Sequence, residues 1–201
     1  RVTSTGTLDS SFNPSNGAND TVYALATENS NSYADIYVGG AFTQFGTQTR
    51  NRLVMLNSSG NVDYRLNSGS GFDGPVYALW ANNDNHNDRG LYVGGDFTSY
   101  EGGIRGRIAR FSLNSYDGEL DQGFNLWADG PVRSIVPYGT NWTYSSPYKI
   151  LVGGDFSLIN GVSKSRIARV EISRADYSGG TYANTELAFN PSPGPNGSVF
   201  S

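Results

Sequence analysis

The chain has 201 residues, enough for one domain with a hydrophobic core, and its low charge (16%) with many aromatic residues (13%) argues against disorder. Its net charge of −4 gives no basic surface for a nucleic acid, and no apolar run reaches the ~18 residues of a membrane span. It has no cysteine, which excludes disulfides and thiol chemistry. We therefore expect neither nucleic acid nor membrane insertion, and no metal or cofactor.

Four short phrases recur along the chain in a constant order, beginning with "LDSSFN" at residues 8–13. It is followed by "TVYALA" at 21–26, "YVGGAF" at 37–42 and "RLVMLN" at 52–57. The second copies begin at residues 62, 75, 92 and 107, and the third copies at 120, 131, 151 and 166. The period is therefore 55–60 residues, with units at 8–61, 62–119 and 120–186 and the start of a fourth at 187–201.

Each unit reads as about four short β-strands. The "VYAL" and "LYVGG" runs are rich in β-branched and aromatic residues and almost continuously apolar, which predicts strands buried on both faces. The "RIARFSL" run alternates better and predicts an outer strand. Sheets that must be covered on both sides pack against copies of themselves, so the sequence predicts an all-β fold, a β-propeller segment of four-stranded antiparallel blades. A β-solenoid is the alternative, although its coils are usually shorter than this period.

The joint pattern "FNP..G.N..VYA", "YVGG.FT", "RIAR" and "G.LD..FN" resembles the delta-60 repeat family of predicted β-propellers. The resemblance covers nearly the whole chain and implies one blade per repeat, often within large bacterial or phage surface proteins. It implies no enzymatic activity. Three units and the start of a fourth do not close a ring, because propellers usually have four to eight blades. We therefore expect a segment of a longer chain, or copies that associate to complete a ring.

Residues that recur in every unit are predicted to serve the architecture. The glycine pairs would allow close packing of backbones, the aspartates would cap turns, and the arginines would form ion pairs or hydrogen bonds within a blade. A ring of identical ligand sites is the alternative for the charged positions. These residues are Gly39, Gly40, Gly94, Gly95, Gly153, Gly154, Asp9, Asp63, Asp121, Arg52, Arg107 and Arg166.

The connections between the "VYAL" and "YVGG" strands depart from the short hairpin that is usual in delta-60 units. We predict intervals at 26–35, 80–90 and 136–149, all emerging on one face of the propeller. Loop insertions on one face of a repeat protein often form its binding face, and aromatic residues give contact area at low entropic cost. The candidate binding residues are Trp80, His86, Tyr138, Trp142 and Tyr144. Contacts within an assembly and neutral drift of exposed loops are the alternatives.

Catalytic signals are sparse. The one histidine, His86, lies in a polar run in which a calcium loop through Asp84 and Asp88 is the alternative to a simple insertion. Non-repeated acids such as Glu28 could supply a glycosidase pair. We expect a non-enzymatic structural or adhesive module of an extracellular, cell-surface or virion assembly. Its partners would be other protein subunits, a copy of itself or a glycan; the alternative is a carbohydrate-active enzyme on a propeller scaffold.

Overall fold

In a computed structural model of the chain, short β-strands account for the regular structure. The structure describes residues 1–30, 33–66, 69–82, 89–113, 118–139, 148–174, 181–185, 189 and 194–200. These residues contain strands, bridges and turns but no helix, so the predicted all-β class is confirmed. None of them forms a helical segment of the length and apolarity that crossing a membrane requires.

The strands, numbered along the chain, form three large antiparallel sheets, one in each sequence unit. Sheet 1 has the order β1 (Val22–Ser30), β2 (Tyr33–Gly40), β5 (Leu53–Leu56). Sheet 2 has the order β6 (Val76–Asn82), β7 (Gly90–Gly95), β10 (Ile108–Ser112), β11 (Glu119–Leu120). Sheet 3 has the order β12 (Val132–Tyr138), β13 (Tyr148–Gly154), β16 (Ile167–Arg174), β17 (Thr181–Thr185). Two sheets therefore have four strands, and sheet 1 has three.

A two-stranded hairpin follows the second strand of every large sheet. The hairpins are β3 (Gln44–Phe45) with β4 (Gln48–Thr49), β8 (Ser99–Tyr100) with β9 (Gly103–Ile104), and β14 (Leu158–Ile159) with β15 (Val162–Ser163). They were not among the predicted elements, because two-residue strands are too short to show an apolar period.

The hydrophobic core lies between successive sheets. Strands β1, β6 and β12 are the first edge strands of their sheets, and they pack side by side. One cluster joins Tyr37 and Leu53 of sheet 1 to Val93 of sheet 2, and another joins Ile108 of sheet 2 to Val152 of sheet 3. Strand β7, in the middle sheet, is buried along its whole length, as its continuous apolar run predicts.

The first glycine of each pair leaves space for a valine of the next sheet. A Cβ atom on Gly39 would lie 2.5 Å from Cγ1 of Val76, and one on Gly94 would lie 2.6 Å from Cγ1 of Val132. The third copy, Gly153, has the same relation to Val199 at 2.6 Å, in the segment that begins the fourth unit. The close approach is therefore between a glycine and a neighbouring side chain, and it repeats in one direction along the chain.

The second glycine of each pair serves its own sheet. A Cβ atom on Gly40, Gly95 or Gly154 would overlap the backbone carbonyl oxygen of the residue before the first strand, respectively Thr21, Pro75 and Pro131. The two glycines thus allow two different contacts, one between sheets and one within a sheet.

Strand β1 departs from the predicted burial. Val22 and Leu25 are 41% and 66% exposed, whereas Val76, at the position of Val22 in the next unit, is fully buried. The prediction of burial on both faces was wrong for this copy, because among the described residues no sheet packs against the face of β1 that carries these two side chains.

Candidate functional site

The recurrent arginines connect successive units through the backbone. The Nη1 of Arg52 donates a hydrogen bond to the carbonyl oxygen of Phe72 at 3.1 Å, and Arg107 makes the equivalent bond to Ala128 at 3.1 Å. Arg166 does the same to Pro195 at 3.1 Å. All three have a positive φ of 64° to 67°, which non-glycine residues adopt rarely. These bonds run between units, whereas the sequence predicted contacts within a blade; Arg107 makes a contact of the predicted kind as well, an ion pair with Asp96 of its own unit.

The recurrent aspartates lie in turns at the start of each unit. Each carboxylate accepts a hydrogen bond from the N–H two residues later, at 2.9–3.0 Å, and each is paired with an arginine. The pairs are Asp9 with Arg1, Asp63 with Arg65, and Asp121 with Arg110. The third pair is buried, with side chains 5% and 2% exposed, and Arg110 also donates to the hydroxyl of Tyr92.

A second set of recurrent residues has the same function but was missed from the sequence. Asp73 accepts hydrogen bonds from the N–H groups of Thr98 and Ser99, at 2.8 and 2.9 Å, and so fixes the β8–β9 hairpin. Asn19 and Asp129 occupy the equivalent places and bind the other two hairpins in the same way. Their signal was the Asn-Asp or Asp-Gly pair shortly before each "VYAL" or "VRSI" strand.

A buried group of charges joins sheet 1 to sheet 2. Glu28 is fully buried and forms an ion pair with Arg89, and it accepts a hydrogen bond from the hydroxyl of Tyr37 at 3.2 Å. Burial, with the charge of Glu28, raises the pKa of Tyr37 above its ordinary range. Glu28 was a candidate for a glycosidase acid; its carboxylate is instead occupied by this contact between sheets.

The predicted binding face is only partly within the described residues. Strands β6 and β12 extend through Asn82 and Tyr138, so Trp80 and Tyr138 lie on strands rather than in loops. The Trp80 ring stacks on the buried Tyr92, with ring centroids 5.0 Å apart. Tyr138 is 45% exposed, with the Arg169 guanidinium over its ring at 5.0 Å. The other three candidates, His86, Trp142 and Tyr144, lie outside the described residues.

The intervals between these strands are also shorter than predicted. Strands β1 and β2 are separated by residues 31–32, β6 and β7 by 83–89, and β12 and β13 by 139–147. The strands extend into polar sequence because their antiparallel backbone pairing continues there, for example between Glu28 and Asp35. The unequal lengths of the three intervals remain.

At the other end of the edge strands, four side chains converge on one cavity of about 350 Å³. They occupy the second position of the "VYAL" phrase in successive units, and we call them the central cluster: Tyr23, Tyr77, Arg133 and Phe200. In the first three units the register of the edge strand shifts around this residue, which marks a β-bulge. Bulges change the direction of a side chain and are frequent beside functional sites.

The members of the central cluster contact one another across the units. The Tyr23 and Tyr77 rings meet edge to face, with centroids 5.2 Å apart. The Arg133 guanidinium lies over the rings of Tyr77 and Phe200, at 4.9 and 5.2 Å. Its Nε donates to Oδ2 of Asp155 at 2.6 Å. The arrangement offers exposed aromatic faces beside a fixed donor and a carboxylate, which suits binding.

The carboxylate of Asp155 is held in its charged form. Hydrogen bonds from Ser198 and then from Arg133, opposed by burial, lower the pKa of Asp155 below its usual value. Asp155 recurs as Asp96, which forms an ion pair with Arg107 at 3.5 Å. Among the described residues, no group of three or more His, Asp or Glu side chains is arranged to hold a metal ion.

Comparison with known proteins gives one family. Three segments, residues 35–66, 86–124 and 149–171, match the model of a family described as a domain of unknown function (DUF5122) beta-propeller. Neither a curated protein nor a solved structure matches the chain. Each matched segment includes the glycine pair of one unit and all or most of the next strand of the same large sheet, which is β5, β10 or β16. The matches, one in each of the three units, support a β-propeller repeat architecture for the chain.

Proposed function

We propose that the protein is a non-enzymatic structural and adhesive module in an extracellular, cell-surface or virion assembly. Its units would be delta-60-type blades of four strands. Contacts to protein subunits or glycans would use the face on which the β1–β2, β6–β7 and β12–β13 connections emerge. The observation that carries the structural part of this proposal, assembly with a further blade, is the exposed apolar face of β1.

The occupant of that face can be deduced from the repeat itself. Val22 and Leu25 correspond to Val76 and Leu79, whose side chains fill the space beside Gly39. The exposed face therefore has the shape of a surface that packs on a glycine pair. The spaces beside the three glycine pairs of this chain are already filled by Val76, Val132 and Val199. We infer that the occupant is a blade outside residues 1–201 that carries its own pair of small residues.

The charges near the central cluster support binding rather than catalysis. A general acid needs a carboxyl group with a raised pKa. The pKa of Asp155 is lowered instead, and Asp96 and Asp155 each have an arginine partner. Both also occupy a repeated position, as expected of residues with an architectural role.

Photo-crosslinking in the native assembly tests the proposal. A photoreactive phenylalanine at position 25 should crosslink to the strand that covers β1, because Leu25 is 66% exposed and lies at the centre of the proposed contact. Mass spectrometry is expected to identify a peptide from outside residues 1–201 with two consecutive small residues.

The same probe at Ile104 is the control. Ile104 is 86% exposed but lies on the small β8–β9 hairpin, and we expect no crosslink there to the same peptide. A crosslink from position 25 into residues 1–201 of a second copy would contradict the proposal, and so would the absence of any crosslink at that position.

A further inference from the structure

The central cluster has features that packing between blades does not require. Four equivalent positions in four successive units place their side chains around one cavity of about 350 Å³. This lies at the lower end of the ~300–1,000 Å³ that is common for small-molecule sites. In the first three units, the residue that lines this cavity is also the residue at which the β-bulge occurs.

Two aromatic rings at the cavity are substantially exposed. Tyr23 is 49% exposed and Phe200 is 69% exposed. When the apolar face of a ligand ring covers such exposed rings, apolar surface is removed from water, which favours binding. The Tyr23 ring contacts the Tyr77 ring edge to face, with an interplanar angle of 64°.

The polar groups are fixed beside these rings. Asp155 and two aromatic faces hold the orientation of the Arg133 guanidinium. Tyr23 and Tyr77, whose side chains carry phenol groups, also line the cavity. A phenol donates and accepts, a guanidinium donates and a carboxylate accepts, so the group can satisfy ligand hydroxyls, which both donate and accept.

The local charge favours a neutral ligand. The charge of Arg133 is offset by its ion pair with Asp155 at 2.6 Å. Burial raises the pKa of Tyr77, the charge of Arg133 opposes this rise, and the second carboxylate, Asp96, adds to it. Asp96 is itself paired with Arg107 at 3.5 Å, so each carboxylate near the cluster has a guanidinium partner and no unbalanced positive charge is left to attract an anion. The long-range field of a chain with net charge −4 would also oppose an anionic ligand.

We propose that the central cluster binds one neutral hexose-type sugar unit, with the apolar face of the pyranose ring on Tyr23 and Phe200 and its hydroxyls on Arg133 and the tyrosine phenols. This site lies at the opposite end of the edge strands from the β1–β2 connections, and it does not depend on the assembly role proposed above. Recognition of a single sugar at an exposed site is expected to be weak, in the millimolar range, and to strengthen when several copies bind one glycan.

Titration with sugars of known charge tests the site. Glucose, galactose and N-acetylglucosamine are the neutral probes and glucuronate is the anionic probe, monitored by NMR of the aromatic side chains. A saturable shift is expected with at least one neutral probe. Tyr23→Ala and Phe200→Ala are each expected to weaken this binding about tenfold, which corresponds to the loss of one aromatic contact.

Tyr64→Ala is the matched control. Tyr64 is also an exposed tyrosine (61%) with an arginine over its ring, Arg50 at 5.2 Å, but it does not contribute to the central cluster. Its replacement should leave the affinity unchanged. A glycan array then distinguishes binding of a terminal sugar on a glycan from binding of a free sugar.

Three results would each overturn the proposal. The first is no saturable shift with any of the three neutral probes at about 100 mM, a concentration roughly one to two orders of magnitude above the millimolar dissociation constant expected of such a site. The second is unchanged affinity in Tyr23→Ala and Phe200→Ala that keep the unfolding midpoint of the wild type. The third is tighter binding of glucuronate than of every neutral sugar.

Discussion

The contact between Gly94 and Val132 gives the sharpest test of how the sheets pack. A methyl group on Gly94 would lie 2.6 Å from Cγ1 of Val132 and 3.1 Å from Cδ1 of Ile135. Overpacking of this kind costs about 1–3 kcal/mol of unfolding free energy. Val132 is fully buried, so Val132→Ala alone should cost about 2 kcal/mol through lost contacts and the cavity left behind.

The double variant should recover part of both losses. The alanine methyl at position 94 would occupy the space that Val132→Ala vacates. The loss of unfolding free energy in the double variant should therefore be about 1–2 kcal/mol smaller than the sum of the losses in the two single variants. The measurement is urea unfolding of the 201-residue chain and its three variants, followed by tryptophan fluorescence.

A matched glycine provides the control. Gly103 has an ordinary φ, and a Cβ atom there would lie 3.4 Å from the carbonyl oxygen of Tyr100, which is a normal contact. Gly103→Ala should therefore change stability by less than about 0.5 kcal/mol. Strict additivity of the Gly94 and Val132 changes would refute the reasoning, and so would a Gly94→Ala variant as stable as Gly103→Ala.

Two further predictions concern charged residues. Asp121→Asn removes the carboxylate that is paired with the buried Arg110 and should cost about 3–5 kcal/mol of unfolding free energy, measured by urea unfolding. Asp9→Asn, at the equivalent exposed position, should leave the unfolding midpoint unchanged, and equal effects of the two changes would refute the role of burial. Burial raises the pKa of Asp73, but its hydrogen bonds from Thr98 and Ser99 outweigh this and lower the pKa to about 2. The stability that Asp73 provides is fully present at a pH above 3.8, the pKa of the group in the unfolded chain, and it is lost as the pH falls toward 2. Asp73→Ala should therefore cost about 1 kcal/mol of unfolding free energy at pH 7 and less at pH 2. A cost that does not change with pH would contradict this prediction.

The repeat made much of the fold predictable. Because the glycine pairs and the "VYAL" phrase recur together, close packing at Gly39, Gly94 and Gly153 followed from the sequence. The sequence could not show which partner approaches, because the valine that fills each space belongs to the next unit, about 40 residues later.

The central cluster was not predicted, for two physical reasons. A β-bulge has no apolar period of its own, so the sequence does not show that Tyr23 and Tyr77 turn away from the alternation of their strands. In addition, the cluster position changes from tyrosine to arginine to phenylalanine between units, and comparing units for identity hides a position whose side chains differ. The predicted binding residue Trp80 looked exposed because the polar sequence after it concealed the continuation of β6.

The one-directional contact between a glycine pair and the following valine makes each unit interchangeable with the next. Removal of residues 76–131 would join Pro75 directly to Val132, and Gly39 would then face Val132 in place of Val76. At the new junction, Gly39 would again contact a valine, because Val76 and Val132 each fill the space beside a glycine of the preceding unit. Chains with such nearest-neighbour contacts can gain or lose whole repeats without a new core, so the number of blades can change in evolution independently of the structure of any one of them.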